Sequence, residues 1–203
     1  KIKNKRALQA ELGLEQDDRK MMIGIVSRLT WQKGVYLIIE KMADIMGLDV
    51  QFVVLGTGET HIENQFKMME DKYRRRAVYY CGYNDELAHR IYAGCDLFLM
   101  PSLFEPCGIG QLIAMHYGSL PLVRETGGLR DTVHPYNQYT KEGNGFSFTA
   151  FNSHDMLYTL RCAADAYYLN RADWDQLVQQ AMGTDVSWNL SADQYTKLYN
   201  EME

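Results

Sequence analysis

Six apolar runs of strand length, each separated from the next by a longer and more polar stretch, restrict this chain to few architectures. They fall at 21–26, 50–55, 77–81, 96–100, 119–123 and 145–148. The first, second and fourth are apolar at nearly every position, as strands covered on both faces are. The intervening segments 35–46, 59–73, 85–94 and 108–117 read as helices. In the first of them Leu37, Ile38, Met42 and Ile45 share one stripe. Asn84 is placed to cap the third, with Asp85 and Glu86 in its first turn, and Gly118 to stop the fourth. Strands alternating with helices predict an α/β fold: a doubly wound parallel sheet with right-handed crossovers. From residue 152 the pattern is helical only, with candidates at 153–169, 172–182 and 191–202. The polar stretch 134–144 lacks periodicity and predicts an exposed loop. Residues 1–203 therefore read as one domain, of which 152–203 is a helical tail.

Composition removes several function classes. A net charge of −5 argues against a nucleic-acid surface, although a local basic cluster still suits a small anionic ligand. The four cysteines, Cys81, Cys95, Cys107 and Cys162, form no CxxC pair and no zinc-type spacing with histidine. All four are expected to be reduced, in a cytoplasmic protein, with Cys81 and Cys95 as small buried hydrophobes. No signal peptide or long apolar run predicts secretion or membrane spanning. The five histidines are scattered, and no HxxxH spacing or acid–histidine pair suggests a metal site or a nucleophilic triad. The chain opens on Lys1 inside a charged helical pattern, which reads as a piece of a longer protein.

In doubly wound sheets ligands bind beyond the carboxyl ends of the strands. Five loops lie there: 27–34, 56–59, 82–84, 101–110 and 124–129. Arg28 and Lys33 precede a helix start and suit phosphate oxygens; a solvated loop with two surface charges suits them too. Gly56 and Gly58 permit close backbone approach to a ligand, or simply a tight turn. They do not make a GxGxxG fingerprint. Tyr83 offers a face for a base or a surface for packing. In the fourth loop Pro106 fixes the backbone after Glu105, and Gly108 and Gly110 open a helix with free amides. A carboxylate beside an anion site needs another partner, and sugar hydroxyls would serve. The alternative is an acid that complements the helix dipole. Thr126, Gly127 and Gly128 again bring glycines to a helix start, for a ligand or for a plain turn.

The order and spacing of these motifs resemble bacterial glycogen synthase and plant starch synthase. The residues that carry the resemblance are Ser27-Arg28-Leu29-Thr30-x-Gln32-Lys33-Gly34, Gly56-x-Gly58, Phe104-Glu105-Pro106-Cys107-Gly108-x-x-Gln111-Leu112 and Thr126-Gly127-Gly128-Leu129-x-Asp131-Thr132-Val133. The resemblance runs over essentially the whole chain and implies one Rossmann-like half of a GT-B glycosyltransferase, the C-terminal donor-binding one. It implies transfer of glucose from ADP-glucose to the non-reducing end of an α-1,4-glucan with retention. It also implies no metal or other cofactor, and partners limited to the nucleotide sugar, the glucan and an N-terminal domain that this chain lacks. By matching motifs Arg28 and Lys33 would hold the diphosphate, amides of Gly110 and Gln111 the distal phosphate, and Tyr83 the adenine. Glu105 would face the anomeric carbon, Cys107 and Gly108 would line the sugar pocket, and Gly127 and Gly128 would offer amides to hydroxyls or phosphate.

Two departures stand out. Position 110 is glycine where many bacterial relatives have threonine, and Ile113 stands where related transferases place a second glutamate. Glu105 is then the one acid expected in the chemistry. A competing class is a non-catalytic module that binds a sugar nucleotide or a glucan. A second enzyme reading is a transferase related to sucrose synthase or to trehalose-forming enzymes. The residues by themselves do not decide between ADP and UDP.

Overall fold

The computed structural model describes residues 1–202. Six strands form one sheet: β1 (Met22–Val26), β2 (Gln51–Gly56), β3 (Ala77–Cys81), β4 (Leu97–Met100), β5 (Leu120–Arg124) and β6 (Phe146–Phe148). Their order is β3-β2-β1-β4-β5-β6, and every neighbouring pair is parallel. Strand order reverses between β1 and β4, so a crevice opens there beyond their carboxyl ends.

The apolar strand runs are explained by burial on both faces. Ile23 and Ile25 of β1, with Phe52 and Val54 of β2, enter one core cluster. Met22, Val53 and Leu55 enter the other. The first cluster is completed by α2 (Val35–Glu40), α3 (Met42–Met46), α4 (Thr60–Lys72), α8 (Ser153–Leu169) and α9 (Arg171–Met182). The second is completed by α1 (Ile2–Glu11), α5 (Asp85–Gly94) and α6 (Gly110–His116). Burial of this many aliphatic side chains, each contributing about 1.5–3 kcal/mol, is the main force holding the layers together.

Local signals account for several boundaries. Asn84 Oδ1 accepts from the Leu87 amide at 2.9 Å, capping α5, and Asn152 does the same for α8 through Asp155. Gly118 ends α6 at φ +71. The stretch 35–46 is two helices rather than one. Lys41 leaves helical geometry at φ −107, and its amide bonds back only three residues, to Ile38. The stripe survives the break, because Leu37, Ile38, Met42 and Ile45 are all buried. Cys95 is buried as expected, but Cys81 is exposed, because it ends the edge strand β3. All four cysteines are free. Segment 134–144 is a loop with a largely exposed course, pinned by the buried Asn144 to His134 and Thr132. α7 (Gly127–Thr132) follows β5, and the last helix, α10 (Trp188–Glu201), buries none of its residues. Among the described residues no helix is long and apolar enough to cross a membrane.

One buried ion pair ties the layers together below the crevice. Lys5 Nζ of α1 lies 2.7 Å from Asp96 Oδ2 at the foot of β4 and 3.0 Å from Tyr167 Oη of α8. Burial alone would lower the Lys5 pKa, but Asp96 and Tyr167 outweigh it and leave it raised.

Candidate active site

The site is assembled by loops that pack on one another. After β1 the chain runs against the loop after β2: Leu29 donates to Thr57 O and Glu59 donates to Leu29 O, both at 2.9 Å. Leu29 is thereby buried, and Arg28 is left exposed with no side-chain hydrogen bond or ion pair among the described residues. Gly56 and Gly58 make this approach possible. A Cβ at Gly56 would lie 1.9 Å from Ser27 O, and one at Gly58 2.1 Å from Leu29 O. Their glycine character answers to the approach of the neighbouring loop, and Gly56 also lines the cavity beside Tyr83.

The loop after β1 is also fastened to the loop after β4. A 3₁₀ turn at Trp31–Lys33 ends at Gly34, whose φ is +67 and whose Cβ would stand 1.9 Å from Pro101 O. Leu103 donates to Gln32 O at 2.9 Å, and Gln32 Nε2 returns a bond to Phe104 O at 3.2 Å. This brings Lys33 Nζ to 2.5 Å from Glu105 Oε2, while Ser102 Oγ donates to the same oxygen at 3.3 Å. Both members of the pair are mostly shielded from solvent.

The far side of that loop is braced from α6 and α7. The buried Gln111 donates through Nε2 to Cys107 O, Gly108 O and Thr132 Oγ1 at 3.1–3.3 Å. Gly128 donates its amide to Pro106 O at 3.0 Å. A Cβ at Gly127 or Gly128 would lie 2.2 Å from Glu105 O or 2.1 Å from Cys107 O. The Gly128 amide is therefore already engaged, a correction to its expected role toward a ligand. Thr126, Gly127 and Gly128 shape the loop that presents Glu105. Cys107 is exposed, and its carbonyl rather than its thiol faces this brace.

What these contacts leave open is a pair of neighbouring cavities that share part of their lining. The first, of ≈ 250 Å³, is lined by Arg28, Lys33, Ser102, Glu105, Gly108 and Gly110 among others. The second, of ≈ 230 Å³, is lined by Gly56, Thr57, Gly82, Tyr83 and Asn84. Both include Val26, Ser27 and Arg28, so Arg28 stands at their junction. Among the described residues Glu105 is the one acid on the first cavity wall, which also carries Arg28 and Lys33. Ile113 is packed against the second core cluster, so no carboxylate stands at its position. The Gly110 and Gln111 amides begin α6 and have no acceptor within it. Tyr83 is 88% exposed at the mouth of the second cavity. Among the described residues no three His, Cys, Asp or Glu side chains cluster as metal ligands would.

Sequence reasoning missed Ser102, which follows the strand-ending Pro101 and had no motif to mark it. It also missed the partnership of Lys33 with Glu105, which are 72 residues apart.

The family model described as "Glycosyl transferases group 1" matches residues 8–161. The chain belongs to the group 1 glycosyl transferases. As a group 1 glycosyl transferase it is 53% identical over 202 residues to glycogen synthase of Lachnospira eligens, covering 100% of this chain and 42% of that enzyme. It is 54% identical to glycogen synthase of Bacillus cereus with the same coverage. The chain thus spans about 42% of the length of the curated relatives it matches. Among solved structures it superposes on the catalytic domain of starch synthase IV from Arabidopsis thaliana, bound to ADP and acarbose, with a TM-score of 0.89. That match is 39% identical and covers 98% of this chain and 42% of the other. These relatives agree with the fold read from the sequence, a Rossmann-like half of the GT-B architecture.

Proposed function

We propose that this domain is the donor-binding half of a retaining transferase that moves glucose from ADP-glucose to the non-reducing end of an α-1,4-glucan. One observation carries the reading: Arg28, Lys33 and Glu105 line one cavity, and Arg28 also lines the neighbouring cavity of Tyr83. A base resting near Tyr83 sends its phosphates past Arg28 toward Lys33. Arg28 has no protein partner to give up, so it is a ready cation for the bridging region. Lys33 exchanges its bond to Glu105 for one to phosphate, which releases the carboxylate toward the hexose. As the glycosidic bond breaks, negative charge grows on the departing ADP and positive charge on the anomeric carbon. Two fixed cations stabilise the first and Glu105 the second.

The choice of ADP over UDP rests on likeness to glycogen and starch synthases, not on a residue of the cavity. The acceptor wall belongs to a second domain that faces this crevice. The same reading asks for no metal or cofactor and assigns the enzyme to the cytoplasm.

Calorimetry of this chain with ADP, ADP-glucose and UDP-glucose tests the donor site, with tighter binding of the adenine nucleotides expected. Radiolabelled ADP-glucose with a glucan primer tests turnover. The chain alone is expected to bind ADP and transfer nothing. The full-length protein is expected to elongate the primer and to stop doing so on Glu105→Ala or Lys33→Ala. Binding without turnover in the full-length protein would instead identify a sugar-nucleotide sensor.

A further inference from the structure

Tyr92 lies on α5 with its ring packed on Phe98 at 4.6 Å between centroids, and it is only 7% exposed. Its hydroxyl makes no hydrogen bond with any described residue. The ring is buried while the oxygen keeps access to solvent, and phenylalanine would fill the core equally well. The hydroxyl is not simply lost in the core. Tyr92 lines the cavity of Arg28, Lys33 and Glu105, and a Cβ added at Gly110 would stand 3.4 Å from its oxygen. The surroundings of that oxygen favour an anion: two cations line the same cavity, and the hydroxyl has no protein acceptor to give up.

Position along α5 says which part of a ligand it meets. Ala88, four residues earlier and so on the same helix face, lines the cavity of Tyr83. Tyr92 follows one turn on, about 6 Å along the axis, in the adjoining cavity. A nucleotide whose base rests by Tyr83 and Ala88 thus reaches Tyr92 with its outer phosphate. We infer that Tyr92 is a positioning residue whose hydroxyl donates to the distal phosphate of the bound nucleoside diphosphate. Burial pushes the phenol up to about 12, so it remains a neutral donor across the working pH range.

This inference rests on the donor-site reading above, and the test separates the two. Tyr92→Phe removes one oxygen and keeps the ring. Calorimetry with ADP and with AMP, which lacks the distal phosphate, reads the effect. The expected result is an ADP affinity lowered about tenfold, the scale of a hydrogen bond to a charged acceptor, with AMP affinity and thermal midpoint unchanged. Equal loss of ADP and AMP affinity, with or without a lowered midpoint, would show a packing role and overturn the inference. So would unaltered ADP affinity. If the unsubstituted chain binds neither nucleotide, the donor-site reading itself fails.

Discussion

Lys33 Nζ stands 2.5 Å from Glu105 Oε2 and joins the loop after β1 to the loop after β4, across the point where strand order reverses. Among the described residues, the two cations on the cavity wall are thus unequally placed: Lys33 is paired with the one acid there, and Arg28 is free. A diphosphate must compete with Glu105 for Lys33, so the acid restrains nucleotide binding while serving the sugar.

That competition gives opposite signs for binding and turnover. Glu105→Gln keeps the volume and frees Lys33 from its ion pair. ADP affinity of the substituted chain is expected to rise severalfold, while glucose transfer by the full-length protein falls about a hundredfold or more. Lys33→Ala is expected to lower both. Calorimetry beside initial rates checks this, and a Glu105→Gln variant with weakened ADP binding would contradict it.

The loop glycines should prove to be requirements of packing. At Gly56 and Gly128 an added Cβ meets a backbone carbonyl at 1.9 Å and 2.1 Å, and backbone cannot rotate away as a side chain can. Overpacking of this kind costs about 3 kcal/mol or more. For a domain of this size that lowers the thermal midpoint by about 6–12 °C. Gly56→Ala and Gly128→Ala are therefore expected to melt earlier even without nucleotide present. Alanine variants with an unchanged midpoint and lost ADP binding would return these glycines to the ligand.

This contrast marks what the sequence could and could not reveal. Strand positions, the two-faced burial of β1, β2 and β4, and the caps at Asn84 and Gly118 depend on local pattern, and local pattern is visible in one dimension. The rim that gathers Arg28, Lys33 and Glu105 followed from strand order and from the motifs. The partners of individual groups did not. Whether Gly128 offers its amide to a ligand or to Pro106 depends on where another loop passes, and no spacing encodes that. Lys41 breaks a continuous apolar stripe, because periodicity reports which face is buried and not whether the axis bends.

The buried Lys5–Asp96 pair should dominate stability outside the crevice. Lys5 is 1% exposed, and Asp96 Oδ2 also accepts from the Met22 amide. Lys5→Met strands a carboxylate in the core and is expected to cost about 3–5 kcal/mol. Lys5→Met combined with Asp96→Asn removes the orphan charge and is expected to recover part of that. Because the folded Lys5 pKa is raised, its contribution is full below the ordinary lysine value of 10.5 and is lost as pH rises through the folded value. Thermal melts of the single and double variants check the order, and a double variant less stable than Lys5→Met would refute it.

Thiol chemistry offers a check on packing that needs no ligand. Burial pushes the Cys95 thiol up to about 12, with nearby Lys1 and Lys5 offsetting only part of the effect. At pH 8 only about one molecule in ten thousand then carries the reactive thiolate. The sulfur is also closed in against β1, where a Cβ on Gly24 would lie 2.5 Å from Sγ. Cys81, Cys107 and Cys162 are exposed. Iodoacetamide at pH 8 is therefore expected to alkylate those three in the folded chain and Cys95 only after denaturation. At pH 9 Cys95 is expected to stay unmodified in the folded chain, since 9 is still far below its value. Peptide mapping reads the sites, and modification of Cys95 at the rate of Cys81 would show that α5 and β1 do not pack as described.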